Sequence, residues 1–498
     1  MVKLGIFLFR RDCRLDDNTT LNLLAKTVDL ILPIFILDSN QIVKTNKNSH
    51  YFSNNAVQFI CETLDDLSLQ LDNFSSRLYL FHGIPWTIIA NILTRLNKKY
   101  DDITLAFNTD FSSYSDKRDN AIRIICNKLN INILESNSDF TLRPIEELIK
   151  SDSTGFKQFG AFYKNSILSD PIKPEKLDKT TNFVNKHFEK KLLEVLEYDI
   201  KDLYKLYTEN ELLAQHGGRT ELLKKLNNIG KFKAYNDMHD ILSYSTTNLS
   251  AGLNMGCISI RETYWSVKSK LGLKNNIIKQ LYWRDFYLVA LAFLPNAKSY
   301  STVMDERYEQ IKWPDNSKIK HWWKQMINAK TGFLLIDAGI EEMKTTGFLH
   351  NRNRMILGIF WTKYLHIHIL NPKYGSQSGF SRYLVDAIGP SQNKMNHHWL
   401  LDFDYPGKKF SAPGAPLSGR PMKIDNSMIK KWDPECIYIK KWLPHLADIP
   451  PKELYKWSQR SKGSLNLFED SKSDSSIHPA PMFDPKIQYN EWIKLCKI

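Results

Sequence analysis

The stretch LGIFLF, residues 4–9, is followed at once by RRDCRLDDN, residues 10–18. Six consecutive apolar residues are typical of a strand that is buried on both faces, as the strands of parallel sheets are. Three more strand-like apolar runs follow, with amphipathic helical patterns between them: LILPIFIL (30–37), RLYLFHG (77–83) and ITLAFN (103–108). Strands that alternate with helices predict a doubly wound parallel sheet. The turn after the first strand lacks the G-x-G-x-x-G fingerprint of a standard dinucleotide site.

The length of the chain predicts more than one domain. Its 498 residues exceed the roughly 250–300 at which a single hydrophobic core stops growing. The strand–helix alternation ends near residue 130, and residues 131–205 carry charge runs and prolines that indicate a connector. From residue 206 the pattern is helical and rich in Trp and Tyr. We therefore expect an α/β N-terminal doubly wound parallel-sheet domain over 1–130 and an all-α C-terminal domain over 206–498.

The composition narrows the class of protein. Lys and Arg outnumber Asp and Glu by 68 to 54, and a formal net charge of +14 favours a polyanionic partner such as nucleic acid. The alternative is a lysine-rich composition without functional meaning. No stretch approaches the roughly 20 apolar residues of a membrane span, and the N-terminal apolar run is too short for a signal peptide. We expect a soluble intracellular protein, in the cytoplasm or nucleus, without membrane contact. The six cysteines form no C-x-x-C pair, so no metal is expected.

Two polar segments of the helical region are candidate binding segments. In STTNLS (245–250), hydroxyl groups precede a helical stretch, where they either cap the helix or hold a phosphate. In QLYWRDFY (280–287), Gln280, Trp283 and Arg284 share one helix face. Such a face suits stacking on a base, but a buried Trp beside an Arg284–Asp285 ion pair explains it equally well.

A third polar segment, TTGFLHNRNRM (345–355), places different groups on two adjacent helix faces. Asn351 and Met355 are four residues apart, as are His350 and Arg354. An amide beside a thioether suits contact with a base or a flavin ring. Arg354 would need a buried carboxylate, because an unpaired interior charge is very costly.

Six segments occur in a fixed order along the chain: FRRDCRLDDN (9–18), GGRTELLKKL (217–226), TTNLS (246–250), QLYWRDFY (280–287), KTGFLLIDAGIEEMKTTGFLHNRNRM (330–355) and KWDPECIYIKKWLPHL (431–446). Together they resemble the photolyase/cryptochrome flavoprotein family over essentially the whole chain, and most closely the class I cyclobutane pyrimidine dimer photolyases. The resemblance implies FAD in the helical domain and an antenna chromophore in the α/β domain. It also implies light-driven electron transfer from reduced FAD to a pyrimidine dimer that is flipped out of DNA.

By motif position, the resemblance implies roles for individual residues. The residues implied to bind FAD are Tyr235, Thr246, Thr247, Asn248, Leu249, Ser250, Arg284, Asn351, Arg354, Asp386 and Asn393. Those implied to form the catalytic pocket around the lesion are Gln280, Trp283, Asn351 and Met355, and those implied to contact DNA are Gln280, Trp283, Arg352 and Trp399. The implied electron-transfer residues are Trp399, Trp313 and Trp361. Pairing of Arg354 with Asp386 would supply the carboxylate that Arg354 needs.

The sequence departs from the family pattern at four places. Gln280 replaces a Glu that is usual in dimer photolyases, and Ile388 replaces the second Asp of a D-x-D pair. Ile369 replaces the middle member of the three-Trp chain that photoreduces FAD, and Ala251-Gly252 replaces Pro-Tyr. Whether the electron-transfer chain is intact is therefore open, with three residues as possible substitutes: Trp361, Trp322 and Tyr364.

Three functions follow from the resemblance. We expect an enzyme, a deoxyribodipyrimidine photo-lyase that acts as a monomer on UV-damaged DNA. Repair of (6-4) photoproducts is an alternative, because (6-4) photolyases often have Gln at position 280, but they usually have His where Asn351 stands. A cryptochrome-like blue-light sensor is the other alternative. The identity of the antenna chromophore is open: it is a folate, a deazaflavin, a second flavin or absent. Four residues lie in the motifs of the domain that would hold it: Phe9, Arg10, Asp12 and Asn108.

Overall fold

The computed structural model describes most of both predicted domains. The described residues are 2–42, 52–156, 158–194, 196–293, 311–368, 371, 373–374, 383–388, 424, 426–457 and 477–495. Among them, no helix is both long enough and apolar enough to cross a membrane.

Five parallel strands form the sheet of the N-terminal domain, in the spatial order β3-β2-β1-β4-β5. Their bounds are β1 (Lys3–Phe9), β2 (Leu30–Asp38), β3 (Tyr79–Gly83), β4 (Asp102–Asn108) and β5 (Asn132–Ser136). β1 pairs with β2 on one side and with β4 on the other, so the strand order reverses beside β1. The run that predicted this strand is buried from Leu4 to Phe9, and the predicted doubly wound α/β fold is confirmed.

The segment predicted to be a connector begins inside the sheet. β5 lies within residues 131–205 and pairs with β4 over Asn132–Ser136. As an edge strand it is only partly buried, so NILES lacks the continuous apolar run that revealed the other strands. Further along, the Ile31 carbonyl accepts a hydrogen bond from Val184 N at 2.9 Å, so the segment returns along β2.

Helices cover the sheet and make up the rest of the structure. Those that precede residue 206 are α1 (Thr19–Ala25), α2 (Ser39–Ile42), α3 (Asn54–Asp72), α4 (Pro85–Leu96), α5 (Ser113–Leu129), α6 (Phe159–Ser166) and α7 (Lys190–Leu193). Those that follow are α8 (Arg219–Asn227), α9 (Tyr235–Met238), α10 (Ser250–Met255), α11 (Ile260–Leu271), α12 (Asn276–Phe293), α13 (Ser317–Ile327), α14 (Leu334–Thr346), α15 (Asn351–Ile359), α16 (Asn426–Trp432), α17 (Ile437–Trp442), α18 (Pro451–Tyr455) and α19 (Pro485–Leu495). No strand follows β5 in the ranges given above, which agrees with the predicted all-α domain.

The two domains share a continuous hydrophobic core. One cluster of buried side chains joins Phe7 and Phe9 of β1 to Tyr264 of α11 and Phe286 of α12. A second cluster fills the space among α13 to α19. Helices α10, α12 and α15, which carry the three candidate segments, therefore lie on a packed support.

The polar stretch after β1 joins the domains. Arg11 forms an ion pair with Asp110 at 2.6 Å and donates to the Asn254 carbonyl of α10 at 3.3 Å. Arg14 contacts the buried Asp139 at 2.8 Å. Gly256 has a φ of +66°, and a Cβ there would lie 2.3 Å from the Arg11 carbonyl oxygen. Where a dinucleotide fingerprint would lie, the turn after β1 instead carries residues that fasten the N-terminal domain to the helical one.

Candidate active site

Helix α10 lies at the centre of the site. The Ser250 hydroxyl donates to Asp386 Oδ2 at 2.7 Å, and Asn254 Nδ2 donates to the Asp386 carbonyl. Gln215 Oε1 accepts from Ala251 N at 2.9 Å, and its Nε2 donates to Ser250 Oγ at 3.2 Å. The TTNLS segment is therefore held directly against Asp386.

Asp386 also receives the buried arginine of α15. Arg354 Nη1 and Nη2 donate to the two carboxylate oxygens at 3.0 and 2.8 Å, and both residues are buried. Arg354 Nε donates to the Leu349 carbonyl at 2.8 Å. A bidentate guanidinium–carboxylate pair fixes both groups strongly. The pairing of Arg354 with Asp386 that the resemblance implied is present, and Ser250 joins it through a contact that was not predicted.

The loop before α10 offers polar groups to a ligand. Thr246, Thr247 and Asn248 are half-buried, whereas Leu249 is buried. Asn248 has a φ of +50°, and its buried Oδ1 has no hydrogen-bond partner among the described residues. Nearby in sequence, the Tyr235 ring stacks on His239 at 5.2 Å, and burial raises the pKa of its hydroxyl to about 12.

These groups fit FAD. A buried carbonyl oxygen without a donor is costly, and the hydroxyl groups of FAD would supply one to Asn248. The Thr246 and Thr247 hydroxyls are donors of the kind that phosphate oxygens accept. The residues present therefore match the sugar and phosphate part of the cofactor.

Arg284 lies between α10 and the N-terminal domain. Its guanidinium donates to the Phe140 carbonyl and, at 3.3 Å, to the Leu253 carbonyl of α10. It also lies 3.6 Å from Asp285, whose carboxylate accepts from Leu142 N at 2.8 Å. Burial lowers the pKa of Arg284 to about 10 and raises that of Asp285 to about 7. The Arg284–Asp285 pair of the alternative interpretation is present, but Arg284 still reaches α10.

Trp283 and Gln280 differ in their surroundings. Gln280 is exposed one turn before Trp283 on α12. The half-buried Trp283 ring stacks on Phe159 of α6, with centroids 3.6 Å apart and planes 6° apart. One face of the indole is therefore covered by a residue that the sequence assigned to the connector and to no functional role.

The first turn of α15 presents three of its residues outward. Asn351 is exposed, while Arg352 and Met355 are half-buried. Arg352 forms an ion pair with Asp240 at 2.5 Å, and its guanidinium lies 5.4 Å from the Trp432 ring centroid. The exposed amide of Asn351 is thus available at this surface, whereas Arg352 is already partnered.

The same turn directs other polar side chains inward. His350 caps α15, and its Nδ1 accepts from Arg352 N at 3.2 Å. Asn353 Nδ2 donates to the Tyr438 hydroxyl oxygen at 2.9 Å, and that hydroxyl donates to Glu342 Oε2 at 2.5 Å. Burial raises the pKa of Glu342 to about 7 and lowers that of His350 to about 4. Sequence reasoning missed this network, because its only signal in the sequence is a polar residue on an otherwise apolar helix face.

The candidate electron-transfer residues have separate environments. Trp313 lies 5.0 Å from the His368 ring and 5.5 Å from the Trp492 ring. Trp361 is buried, and its Nε1 donates to the Tyr374 carbonyl at 2.9 Å. Ile388 ends the short 3-10 helix Val385–Ile388. Of the possible substitutes, Trp322 packs on Phe483 with ring centroids 4.9 Å apart, and Tyr364 is buried. Three other residues named from the sequence lie outside the described residues: Ile369, Asn393 and Trp399.

A cavity of about 160 Å³ lies at the carboxyl ends of β1 and β2. It is lined by aromatic, cationic and acidic side chains, among them Phe9, Arg10, Asp38, Asp110, Tyr114 and Arg118. This edge, beside the reversal of strand order, is where open α/β sheets bind ligands. Asp12 and Asn108 instead hydrogen-bond each other at 2.6 Å and hold the loop after β1.

Comparison with known proteins defines the class. The model of the DNA photolyase family matches residues 5–176, and the model of the FAD binding domain of DNA photolyase matches residues 277–497. The chain belongs to the photolyase/cryptochrome family, and its helical domain is the FAD-binding domain of that family.

Relatives with three different names are similar to the chain to the same degree. A deoxyribodipyrimidine photo-lyase of Synechococcus sp. is 25% identical, covering 90% of this chain and 89% of that protein. A (6-4)DNA photolyase of Oryza sativa subsp. japonica is 25% identical, with coverages of 98% and 88%. Cryptochrome-1 of Erithacus rubecula is 24% identical, with coverages of 90% and 70%. Identity alone does not select one activity.

Solved structures share the fold over the whole chain. The archaeal photolyase from Sulfolobus tokodaii, solved with two FAD molecules, is 26% identical, has a TM-score of 0.78 and covers 99% of each chain. A bacterial class III photolyase from Agrobacterium tumefaciens is 20% identical with a TM-score of 0.79 and supports the fold alone.

Proposed function

We propose that the protein repairs cyclobutane pyrimidine dimers in DNA, using light and bound reduced FAD. The observation that carries this proposal is the arrangement of helix α15. Its first residue, Asn351, has an exposed amide, while Arg354 on the same helix pairs with Asp386 and through it reaches Ser250. One rigid helix thus links the surface where a base would enter to the segment that would hold FAD.

Several residues would hold the cofactor. Thr246, Thr247 and Asn248 would bind its phosphate and sugar groups, and Arg284 would place a cation beside α10. The Arg354–Asp386 pair would fix the wall of the site. When bound, reduced FAD supplies light-driven donation of one electron, which is chemistry that protein side chains do not provide.

The residues of the chain would bind and orient the lesion. The Asn351 amide both donates and accepts, so it suits the polar edge of a pyrimidine. Trp283 would contribute an apolar ring, and exposed Gln280 a second amide one turn away on α12. Splitting the cyclobutane ring would require one electron, which returns to its donor once the two pyrimidines separate, and no proton transfer from the protein. That matches the residue types implied to surround the lesion, which are two amides, a thioether and an indole.

The rest of the fold supports binding of DNA and collection of light. A formal net charge of +14 favours phosphate contacts on either side of the lesion. The cavity beside β1 and β2, lined by Phe9 and Arg10, would hold an antenna chromophore. The absorption spectrum of the chromophores released from the purified protein would distinguish a folate, a deazaflavin and a second flavin.

A blue-light sensor is the second candidate. The observation that favours it is that two residues implied to contact DNA already have partners: Arg352 pairs with Asp240, and Trp283 stacks on Phe159. Repair of (6-4) photoproducts is a third candidate, supported by Gln280 and by the (6-4)DNA photolyase relative.

The test uses purified protein, a chemical reductant and two oligonucleotides, one with a cyclobutane dimer and one with a (6-4) photoproduct. Light-dependent loss of the dimer alone is the expected result. An Asn351→Ala variant should still retain FAD, because Ser250 and the Arg354–Asp386 pair remain, but should repair at least about tenfold more slowly, since one hydrogen-bonding group of the transition state is lost. Loss of the (6-4) photoproduct instead, or bound FAD with no repair of either lesion, would contradict the proposal.

A further inference from the structure

We propose that Phe159 is a positioning residue that fixes the indole plane of Trp283 and thereby determines which ring face meets a DNA base. The inference rests on the proposed function, because it concerns how the repair site receives its substrate. It assigns a role in the site to α6, which lies in the segment between the two predicted domains.

The stack of Phe159 on Trp283 is unusually close. Their centroids are 3.6 Å apart, and the angle between the rings is 6°. Aromatic pairs more often have centroids about 4.5–7 Å apart in offset or edge-to-face arrangements. At this spacing the two rings overlap face to face, so no third ring fits between them. A base that stacks on Trp283 must therefore use the opposite face or the edge.

Phe159 is itself held firmly. Its ring lies 5.7 Å from Phe286 in a T-shaped arrangement and stacks on Tyr163 at 5.5 Å. The next turn of α6 is anchored by Phe162, which is fully buried and packs against Phe286 at 5.4 Å. Because these contacts attach α6 to the core, Phe159 acts as a permanent backing and not as a plug that a base would displace.

Trp283 is constrained from a second direction. Phe286 meets its ring edge-on at 5.6 Å and 78°, and Tyr287 lies 5.8 Å away at 24°. The indole is nevertheless only half-buried, one turn from the exposed Gln280. Phe159 and Phe286 thus fix the plane and the edge of the ring. An indole that does not tilt would offer an incoming pyrimidine only the surface that Phe159, Phe286 and Tyr287 leave uncovered.

This arrangement predicts a role in specificity. A base–aromatic stack depends on parallel rings. Loss of the Phe159 ring should therefore weaken binding of the extruded lesion more than binding of the DNA backbone. Binding of undamaged DNA, which depends on phosphate contacts, should not change. A residue with a purely structural role would instead lower FAD content and both affinities together.

The experiment compares three full-length variants with the wild type. Phe159→Leu keeps apolar volume but removes the flat ring, and Phe159→Tyr keeps the ring. Phe156→Leu is the matched control, because Phe156 packs on Phe162 at 6.0 Å in the same aromatic group. For each protein, FAD absorbance, dark binding of dimer-containing and undamaged duplexes, and the KM and kcat of repair are measured.

For Phe159→Leu we expect discrimination between damaged and undamaged DNA to fall about tenfold, within the range for loss of one base–aromatic stack. The change should appear in KM, with FAD content unaltered. Phe159→Tyr and Phe156→Leu should both give the wild-type values. Unchanged discrimination in Phe159→Leu would overturn this inference but not the proposed function. Tighter lesion binding would also overturn it, because it would show that Phe159 obstructs the base. A wild type that neither discriminates nor repairs would overturn the proposed function and this inference with it.

Discussion

Two arginine-rich stretches of the chain look alike in sequence and differ in the folded protein. In the polar stretch after β1, residues 10–18, here called the joint, Arg10, Arg11 and Arg14 pair with buried carboxylates. In α15, Arg354 is also paired and buried, but Arg352 pairs with Asp240, whose side chain is 39% exposed, and Asn351 is exposed. The cationic side chains of the joint point inward, whereas α15 keeps some of its hydrogen-bonding groups at the surface.

The difference shows what distinguishes a structural ionic network from a binding site. A structural network uses its hydrogen-bonding groups within the fold, since a buried charge is tolerated only when it is paired. The proposed site has groups that the described part of the fold leaves for a ligand, namely the side-chain oxygen of Asn248 and the exposed Asn351 amide. Breaking matched contacts in the two regions should therefore have different consequences.

The largest effect is expected in the joint. Asp139 accepts from Arg14 at 2.8 and 2.9 Å and from Thr19 N at 2.9 Å. In Asp139→Ala, Arg14 loses its buried partner, so unfolding in urea should become easier by about 3–5 kcal/mol. Protein that remains folded should keep its FAD absorbance. Asp152→Ala, which alters an exposed carboxylate, is the control and should unfold like the wild type.

The corresponding change in the site is Asp386→Asn. Asn keeps one acceptor for Arg354 but removes the compensating charge, so a stability loss of about 3 kcal/mol is expected, at the lower end for a broken buried pair. Because Ser250 also loses its carboxylate partner, FAD content after gel filtration should fall before the protein unfolds. Equal loss of FAD in folded Asp139→Ala would contradict the distinction between the two regions.

The overall fold could be predicted from the sequence more completely than the side-chain contacts of the candidate site. LGIFLF and the runs after it predicted the sheet, because buried parallel strands are continuously apolar. The edge strand β5 was missed, because a half-exposed strand lacks that pattern. TTNLS and HNRNRM indicated the site through the family resemblance, and the need of Arg354 for a carboxylate followed from electrostatics alone.

Other features depend on contacts between segments that are distant in sequence. Phe159 and Trp283 are 124 positions apart, and their stack exists only because α6 packs on α12. Asn353 and Tyr438 likewise meet only when α15 packs on α17. No local periodicity encodes such pairs, and a single sequence offers no other indication of them.

A third prediction concerns the network behind α15 and its dependence on pH. Burial raises the pKa of Glu342 from 4.5 to about 7, against the opposing influence of Tyr438, the His350 N–H, Lys441 and Arg354. The folded state therefore binds this proton more tightly than the unfolded state. The resulting stabilisation is complete below pH 4.5 and is lost as the pH rises through 7, by up to about 3 kcal/mol.

Glu342→Gln cannot ionise and should not show this loss. The free energy of unfolding of the wild type should fall relative to that of the variant between pH 5 and pH 8, as measured in urea at several pH values. The depressed pKa of His350 acts in both proteins and cancels in the comparison. Glu341→Gln, on the same helix, is the control. Parallel pH profiles for wild type and Glu342→Gln would show that Glu342 ionises normally.

The smallest effect is expected at the surface of α15, where Arg352 pairs with Asp240. A pair that remains partly exposed to solvent contributes only about 0–1 kcal/mol, so Asp240→Asn should leave the stability nearly unchanged. DNA binding should respond instead, because the change releases the Arg352 guanidinium and removes a negative charge near the site. If Arg352 then contacts a phosphate, the plot of log affinity against log salt should become steeper by about 0.9. The double variant Asp240→Asn/Arg352→Gln should lose that added slope. An unchanged slope in Asp240→Asn would mean that Arg352 contacts no phosphate, and the outward face of α15 would then serve DNA through Asn351 without help from its arginine.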